Sequence, residues 1–322
     1  MKVLLHILML ACLAAAPASA QTFPARPVHI VVPWPPGAVD VFIRAMQQAM
    51  EQDLGQSIII DNKPGANGFI GTMQVAAAKP DGYTLLFNVS SSIVMGPLTS
   101  SEAKFDTIKD FAPVTNVFDS PMVLAAMPSL PATTLPELID WLKKNPKQGY
   151  GTPGTGSTPH VLGETLRIAA KVELVHVPYR GFAPMIQALT GNEIAVGFIA
   201  TATAKPVIMD GRMKVFGVDR GPVADKDLAN LVSLADALPG FDSTPTFAGL
   251  FAPAGTPRPI IDRLNAAAVK ALRTAEVRGR VGLGGQRVIA DTPDEFAASI
   301  KQNVATLSRL VAAAKAAGAK FE

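Results

Sequence analysis

The stretch VHIVVPWPPGAVDVFIRAM, residues 28–46, sets the fold class of this chain. Residues 28–32 are rich in β-branched side chains, as is typical of a buried strand, and the apolar residues after Asp40 recur at helical spacing. The loop between them contains three prolines, which fix the backbone and carry no N–H. The sequence therefore predicts a stiff strand-to-helix turn that holds the backbone N–H groups of Gly37 to Val39 in fixed positions.

Strand-like and helix-like runs alternate along most of the chain. This alternation is typical of α/β proteins whose parallel sheets are covered by helices on both faces. The predicted strands are 28–32, 57–61, 83–89, two extended pieces within 110–128, and then 150–154, 172–181, 193–200 and 213–219. The predicted helices between them are 40–53, 69–79, 134–146, 158–171, 183–191 and 201–211.

The segment after residue 259 predicts mainly helices, at 260–274 and 292–318, the latter with a capping box that starts at Thr292. These helices have little sheet of their own to cover, so we expect the chain to return to the first sheet. The extended stretches Pro121–Pro128 and Phe247–Pro253 are then predicted to cross between two lobes. A hinge and a cleft between the lobes follow from this arrangement.

We therefore predict a two-lobed α/β fold in which residues 21–122 and 250–322 form lobe 1 and residues 123–249 form lobe 2. No repeat of fixed period interrupts this pattern. About 300 residues are enough to bury one or two cores without covalent cross-links.

The first twenty residues predict a secretory signal peptide. A short basic start precedes an apolar run, and a small-x-small pattern predicts cleavage after Ala20. Cys12 is the only cysteine and lies in this segment, so the exported chain is expected to have no disulfide, which fits a bacterial periplasm. A lipoprotein interpretation of Cys12 stays open. The formal charge of +3 comes without a basic stripe, which argues against a nucleic-acid partner.

The loops at the strand ends are the candidate binding residues. Ligands of open α/β sheets lie at the carboxyl ends of the strands, where helix N-termini offer N–H groups and partial positive charge to an anion. In the opening loop we expect Asp40 to cap the helix and leave the preceding amides available for a ligand. The alternative is a well-capped turn in which Trp34 is structural. The candidates in this loop are Trp34, Pro35, Gly37, Ala38, Val39 and Asp40.

Four further loops share this character. In GTPGTGSTPH, residues 151–160, the glycines and hydroxyls predict an anion-binding nest rather than a flexible connector. NVSSS, NKPGANG and ATAT place hydroxyls or glycines before other helices, and all are expected to meet at one cleft. Because charged residues are scarce in these loops, an anion would be held by neutral dipoles and hydroxyls, sometimes through water. A site of this kind can release its ligand, as a carrier must.

Enzyme and metal chemistry find little support. Ser157 and His160 stand at i and i+3, but no acidic residue lies nearby in sequence to orient the histidine, and Pro159 replaces the glycine of a nucleophile elbow. The other histidines after the signal segment, His29 and His176, lie inside predicted strands without metal-ligand spacing. We predict no catalytic residue, no metal and no cofactor.

Several segments together resemble one family. FPARPVHIVVPWPPGAVDVFIR, NKPGANGFIG, AAAKPDGYTLL, HVPYRG and LFAPAGTP, in this order, resemble the solute-binding receptors of tripartite tricarboxylate transporters, also called the Bug family. The resemblance covers essentially the whole chain after the signal segment. It implies a periplasmic two-domain Venus-flytrap receptor of the type II-like architecture. It also implies that a small carboxylate is captured and handed to a two-component membrane permease.

The resemblance also assigns ligand contacts. They fall on residues 35–39 with Ser90 and Ser91 in the first lobe, and on Thr155, Gly156, Ser157, His160, Ala200 and Thr201 in the second. The opening loop departs from the family pattern, because it is one residue shorter before Asp40 and lacks the second glycine. Trp34 stands where phenylalanine is common, which suggests a flat or aromatic ligand as a hypothesis.

The sequence thus predicts a monomeric receptor that closes around an organic acid, which is a dicarboxylate, a tricarboxylate or an aromatic acid. Closure needs no chemistry, because the ligand favours the closed form by touching both lobes. One alternative is a ligand sensor that signals to a membrane kinase, and genomic proximity to permease or kinase genes would discriminate the two. A secreted serine hydrolase is the third hypothesis and requires turnover that Ser157→Ala abolishes.

Overall fold

The computed structural model describes residues 23–321 except residues 38, 222, 224, 244 and 284. The predicted signal peptide, Cys12 and the site candidate Ala38 lie outside the described residues. The strands are β1 Val28–Val32, β2 Ile58–Asn62, β3 Thr84–Val89, β4 Phe111–Asp119, β5 Met122–Ala126, β6 Gln148–Thr152, β7 Leu174–Pro178, β8 Val196–Ala200, β9 Lys214–Val218, β10 Phe247–Pro253 and β11 Arg287–Val288.

The helices follow the strands in the alternation that the sequence predicts, and a 3-10 turn at Ala66–Gly68 precedes the second of them. They are α1 Asp40–Leu54, α2 Phe69–Ala76, α3 Ser90–Ile93, α4 Gly96–Thr99, α5 Leu135–Lys144, α6 Thr158–Ala170, α7 Phe182–Thr190, α8 Thr201–Met209, α9 Leu234–Ala237, α10 Arg258–Leu272, α11 Ala275–Leu283 and α12 Pro293–Ala316.

The described strands form two sheets. One has six strands in the order β11-β4-β10-β3-β1-β2, and the other has five in the order β7-β6-β8-β5-β9. The expected parallel pairing holds for only part of each sheet. β1 pairs in parallel with β2 and β3, but β10 is antiparallel to β3 and β4, and β5 is antiparallel to β8 and β9. A strand is parallel to its neighbour when a helical crossover within the same sheet connects the two. β5 and β10 instead enter their sheets directly from the other lobe, so this constraint does not apply to them.

The first sheet is covered by helices from both ends of the chain. On one face, Ile43 and Met46 of α1 share a core with Leu264 of α10. On the other face, Phe69 of α2 packs in the same core as Phe296 of α12. Helices α10 and α12, from the C-terminal segment, thus share the two cores with helices from the N-terminal segment. Each such side chain contributes roughly 1.5–3 kcal/mol through its burial.

The second sheet has its own two layers of helices. Leu138 of α5 and Leu166 of α6 belong to the core on one face, whereas Met185 of α7 and Ala204 of α8 belong to the core on the other. The N-terminus of α5 carries a capping box at Thr134, and α12 carries the predicted one at Thr292. Each sheet therefore has a separate hydrophobic core, as a two-lobed fold requires.

The chain crosses between the sheets through very short segments. The residues predicted to cross, near Pro121–Pro128 and Phe247–Pro253, mostly belong to strands β5 and β10. The crossings are shorter because both strands begin directly after the chain changes sheet. The Ser120 N–H donates to the Thr246 carbonyl at 2.7 Å, which joins the two crossing strands side by side. The two crossings thus form one hydrogen-bonded hinge.

Candidate functional site

A cleft of about 390 Å³ lies between the two sheets. Residues from both sheets and from the hinge line it, and none of the described lining residues is Lys, Arg, His, Asp or Glu. The lining residues are Trp34, Val39, Phe42, Asn67, Val89, Ser91, Phe118, Ser120, Met122, Pro153, Ser157, Thr158, Pro159, Gly181, Phe182, Ala200, Thr246, Phe247 and Gln286. An uncharged cleft of this size suits a small molecule.

Helix N-termini are the main polar feature of the cleft. Five helices, α1, α3, α6, α7 and α8, begin at the cleft through lining residues at or next to their first turn. None of these five has a side-chain hydrogen bond that caps it. The two capping boxes belong to α5 and α12, whose first turns do not line the cleft. Uncapped N-termini present N–H groups and partial positive charge, and both favour an anion.

The opening loop differs from its prediction in one respect. Val39, not Asp40, occupies the N-cap position, and Asp40 is the first residue of α1. The Asp40 carboxylate accepts the Gly37 N–H at 2.7 Å and Arg44 Nε at 2.7 Å, so the Gly37 amide is not available to a ligand. Burial disfavours the Asp40 charge, but these hydrogen bonds outweigh it and hold the pKa of Asp40 below its usual value. Asp40 therefore stabilises the conformation of the loop and does not cap α1.

The glycine-rich loop before α6 is also partly satisfied from within. The Gly156 N–H donates to His160 Nδ1 at 3.1 Å, and the Ser157 hydroxyl donates to the Gly154 carbonyl at 2.7 Å. His160 is buried and its ring stacks on that of His176 at 3.8 Å between centroids. Burial, with a smaller contribution from His176, lowers the pKa of His160 to about 3. A neutral, fully enclosed His160 fixes the shape of this loop.

The His160 N–H donates to the Ser157 carbonyl at 3.0 Å, but among the described residues no hydrogen bond joins the Ser157 hydroxyl to the His160 ring. The serine donates its proton to a carbonyl and the histidine nitrogen accepts from a backbone amide, so the pair lacks the contact of a nucleophile and its base. The geometry therefore gives no support to the hydrolase hypothesis.

Two predicted residues are tied to the hinge. The Ser90 hydroxyl accepts the Phe247 N–H at 3.2 Å, and the Thr201 N–H donates to the Pro121 carbonyl at 3.1 Å. Each bond therefore anchors one crossing segment to the start of a helix. Both residues lie beneath the cleft surface and position the helices that reach it.

The structure brings some of the sequence-predicted residues together and leaves others away from the cleft surface. Those that line the cleft are Trp34, Val39, Ser91, Ser157 and Ala200. Those that are described but do not line it are Pro35, Gly37, Asp40, Ser90, Thr155, Gly156, His160 and Thr201. Among the latter, Pro35, Gly37 and Thr155 are exposed to solvent, and the others make the internal contacts given above or lie beneath the surface.

Three polar lining residues lie outside all the loops that the sequence indicated. Ser120 Oγ, Thr246 Oγ1 and Gln286 Oε1 are buried and have no hydrogen-bond partner among the described residues. A buried polar atom without a partner costs about 1–3 kcal/mol, so these atoms are poised for a ligand or for water. The signal available in the sequence was the hydroxyl residue at each predicted crossing, next to Pro121 and Phe247.

A second cavity, of about 440 Å³, lies between α6 and the C-terminal end of α12. Its charged residues include Glu164 and Arg167, which pair with each other at 2.7 Å. Arg167 also donates to the Ala317 carbonyl at 3.0 Å, so this region is a contact between the two lobes. We place the functional site in the cleft, because helix N-termini and unpaired polar atoms converge there.

The described residues include no group of three or more His, Asp or Glu side chains that could hold a metal ion. Over the same part of the chain, no helix has the length and apolar character needed to cross a bilayer.

Comparison with known proteins gives consistent similarities. A family model described as the tripartite tricarboxylate transporter family receptor matches residues 42–315. A relative from Pseudomonas sp. strain P51, a UPF0065 protein in the tcbD-tcbE intergenic region, is 32% identical over 90% of this chain and 87% of its own length. Protein BugT of Bordetella pertussis is 30% identical over 96% of this chain and 94% of its own length.

Solved structures resemble the chain over nearly its whole length. A periplasmic transporter is 33% identical, with a TM-score of 0.77, and the match covers 93% of this chain and 100% of that one. MatC of Rhodopseudomonas palustris with bound malate is 29% identical, with a TM-score of 0.74 over 90% of this chain and 100% of that one. A second R. palustris protein, with adipate, is 27% identical, with a TM-score of 0.77 over 91% and 98%. The predicted two-lobed α/β fold of periplasmic binding proteins is thereby confirmed.

Proposed function

The chain belongs to the receptor family of tripartite tricarboxylate transporters, and from this premise we propose that it captures a small carboxylate in its cleft. Members of this family are periplasmic solute-binding receptors, so the proposed site of action is the periplasm. We propose further that the loaded receptor delivers its ligand to a two-component membrane permease. The malate and adipate bound to two similar proteins support a carboxylate as the ligand class.

The observation that carries the proposal is the convergence of the uncapped N-termini of four helices, α1, α6, α7 and α8, on an uncharged cleft. Each N-terminus stabilises a nearby anion by about 0.3–1 kcal/mol, and by up to about 2 kcal/mol where it is partly buried. Together, several such contributions give an affinity high enough to capture the ligand and low enough to release it. No ion pair with the ligand is needed.

The proposed contacts come from both lobes. Trp34, Val39 and Ser91 belong to the segment 21–122, which with 250–322 forms the proposed lobe 1. Ser157 and Ala200 belong to 123–249, the proposed lobe 2. Ser120 and Thr246 lie at the hinge, and their unpartnered hydroxyls are proposed to donate to the ligand carboxylate. Gln286 Oε1 can only accept a hydrogen bond, so it is proposed to bond a water molecule or a hydroxyl group of the ligand. A ligand held by both lobes favours the closed form because it has these contacts only there.

Calorimetric titration of the purified protein tests this function. Adipate, malate, citrate and benzoate form the panel, and adipamide is the matched control because it replaces both carboxylates by uncharged amides. We expect at least one of these acids to bind with 1:1 stoichiometry. If adipate binds, we expect adipamide to bind at least 100-fold more weakly. Failure of every carboxylate in a broad library to bind or to raise the melting temperature would refute the proposal.

Delivery is tested separately in cells. A strain that lacks this chain but keeps the membrane components is expected to lose uptake of the radiolabelled ligand identified above. Normal uptake in that strain at ligand concentrations near Kd would contradict the delivery step and leave ligand capture standing.

A further inference from the structure

We infer that the cleft is built for a carboxylate carried on an aromatic ring, an inference that rests on the proposed function and narrows its ligand class. Aromatic side chains line the cleft from both lobes. Trp34, Phe42 and Phe118 come from elements of the first sheet, and Phe182 is the first residue of α7 on the second. An aromatic ring that enters the cleft can therefore contact π faces or edges from two directions.

Trp34 is held in a fixed orientation. Its indole Nε1–H donates to Asn88 Oδ1 at 3.0 Å, and Asn88 is completely buried. The Asn88 amide is itself anchored, because Nδ2 donates to the hydroxyls of Thr72 and Ser92 at 2.9 and 3.2 Å. The one polar atom of the indole is thus already used, and Trp34 offers a ligand only its ring surface. A preorganised wall loses little entropy when a ligand binds.

Phe42 and Phe118 form a second preorganised surface. Their ring centroids lie 4.5 Å apart with an interplanar angle of 55°, which is a favourable tilted geometry. Phe118 is buried in β4 and fixes the position of Phe42 at the first turns of α1. The aromatic wall formed by Trp34, Phe42 and Phe118 therefore lies beside the uncapped N-terminus of α1. The ring of a ligand can contact this wall while its carboxylate binds the nearby helix N-terminus.

This wall disfavours short aliphatic polyacids. In this cleft, some of the polar groups of malate or citrate would contact the aromatic rings of the wall. These groups, the hydroxyl and second carboxylate of malate or the carboxylates of citrate, would lose water without gaining hydrogen-bond partners. A planar ring with one carboxylate avoids this cost. Each aromatic contact is expected to add roughly two- to twelvefold in affinity beyond simple burial of area.

The chain supplies its own reporter for the test. It contains two tryptophans, Trp34 in the cleft and Trp141 in α5, where it packs against the core of the second sheet. In a Trp141→Phe variant, the emission therefore comes from Trp34 alone, and in a Trp34→Phe variant it comes from Trp141. The probes are benzoate, cyclohexanecarboxylate, malate and citrate. Benzoate and cyclohexanecarboxylate have the same charge and number of ring carbons and differ in aromaticity.

We expect benzoate to change the emission of the Trp141→Phe variant in a saturable manner and to bind at least fivefold more tightly than cyclohexanecarboxylate. The emission of Trp34→Phe is expected to stay unchanged. By calorimetry, Trp34→Leu is expected to weaken benzoate roughly tenfold and cyclohexanecarboxylate by less than threefold, whereas Trp141→Phe leaves both unchanged.

Three results would overturn the inference. The first is cyclohexanecarboxylate binding as tightly as benzoate, and the second is malate or citrate binding more tightly than benzoate. The third is calorimetric binding of benzoate that leaves the Trp34 emission of the folded Trp141→Phe variant unchanged. In each of these cases the proposed capture of a carboxylate would still stand. If no carboxylate of any kind binds, both the inference and the proposed function fail.

Discussion

Replacing Ser120 by alanine is expected to affect the ligand-free and ligand-bound protein in opposite directions. Ser120 Oγ is buried at the hinge and has no hydrogen-bond partner among the described residues. Its backbone bond to Thr246 uses the N–H and is kept in the variant. The substitution therefore removes a desolvated hydroxyl without leaving another protein group unpaired.

The magnitudes follow from hydrogen-bond energetics. A buried polar group without a partner costs about 1–3 kcal/mol, so the ligand-free variant is expected to be as stable as the wild type or more stable by about 1 kcal/mol. A hydrogen bond to a charged group contributes about 1.5–3 kcal/mol, so carboxylate binding is expected to weaken roughly 10- to 150-fold. A structural role for the hydroxyl would instead lower stability and affinity together.

Urea unfolding without ligand and calorimetry with ligand measure the two effects. Ser129→Ala is the matched control, because the Ser129 hydroxyl is exposed and already donates to Asn192 Oδ1 at 2.6 Å. That variant is expected to lose up to about 1 kcal/mol of stability and to bind ligand normally. The reasoning about Ser120 fails if Ser120→Ala destabilises the ligand-free protein by 1 kcal/mol or more, or if its affinity stays within twofold of the wild type.

Three further predictions concern stability. The pKa of His160 falls from about 6.5 to about 3 on folding, so below pH 6.5 the unfolded chain binds a proton that the folded protein does not, and the wild type loses stability. Between pH 6.5 and 5 this loss is about 2 kcal/mol, and urea unfolding should show that His160→Asn lacks it. Burial raises the pKa of Asp219 to about 7, so the folded protein loses stability as pH rises from 4 to 7; Asp219→Asn should remove about 2 kcal/mol of that loss between pH 5 and 7, and an unchanged slope would contradict it. Gly163→Ala would bring a Cβ to 2.3 Å from the Tyr150 ring and should lower stability by about 1–3 kcal/mol, whereas Gly279→Ala, whose Cβ would meet nothing within 4 Å, should not.

The regular elements were predictable because their signals are local. Period, proline positions and capping boxes are properties of a few consecutive residues, and α12 begins at the residue after its predicted cap, Thr292. The antiparallel insertion of β10 between β3 and β4 was not predictable in this way, since strand order depends on where a distant segment returns. The two-residue strand β11 is too short to carry any periodic signal.

The candidate site was predictable only at the level of loops. Residue types identified which strand-to-helix turns reach the cleft, and Trp34, Ser91 and Ser157 do line it. They did not show which amides are used internally, because that depends on side-chain placement, as in the bonds of Gly37 and Gly156. The roles of Ser120 and Gln286 in the site could not be predicted from the sequence for a related reason. An unpaired polar atom is a property of the folded environment and leaves no pattern in the chain.

The position of the unpaired atoms links recognition to closure. Ser120 and Thr246 belong to the two crossing segments, which a backbone hydrogen bond joins at the hinge. In the same region Asp219 accepts the Met122 N–H at 2.8 Å, so the start of β5 is also held from the second lobe. A carboxylate that bonds the hinge hydroxyls at one end touches structures fixed to both sheets before any lobe moves. In the proposed function, the remaining contacts would form only when the cleft narrows, and this difference in contacts would favour the closed form.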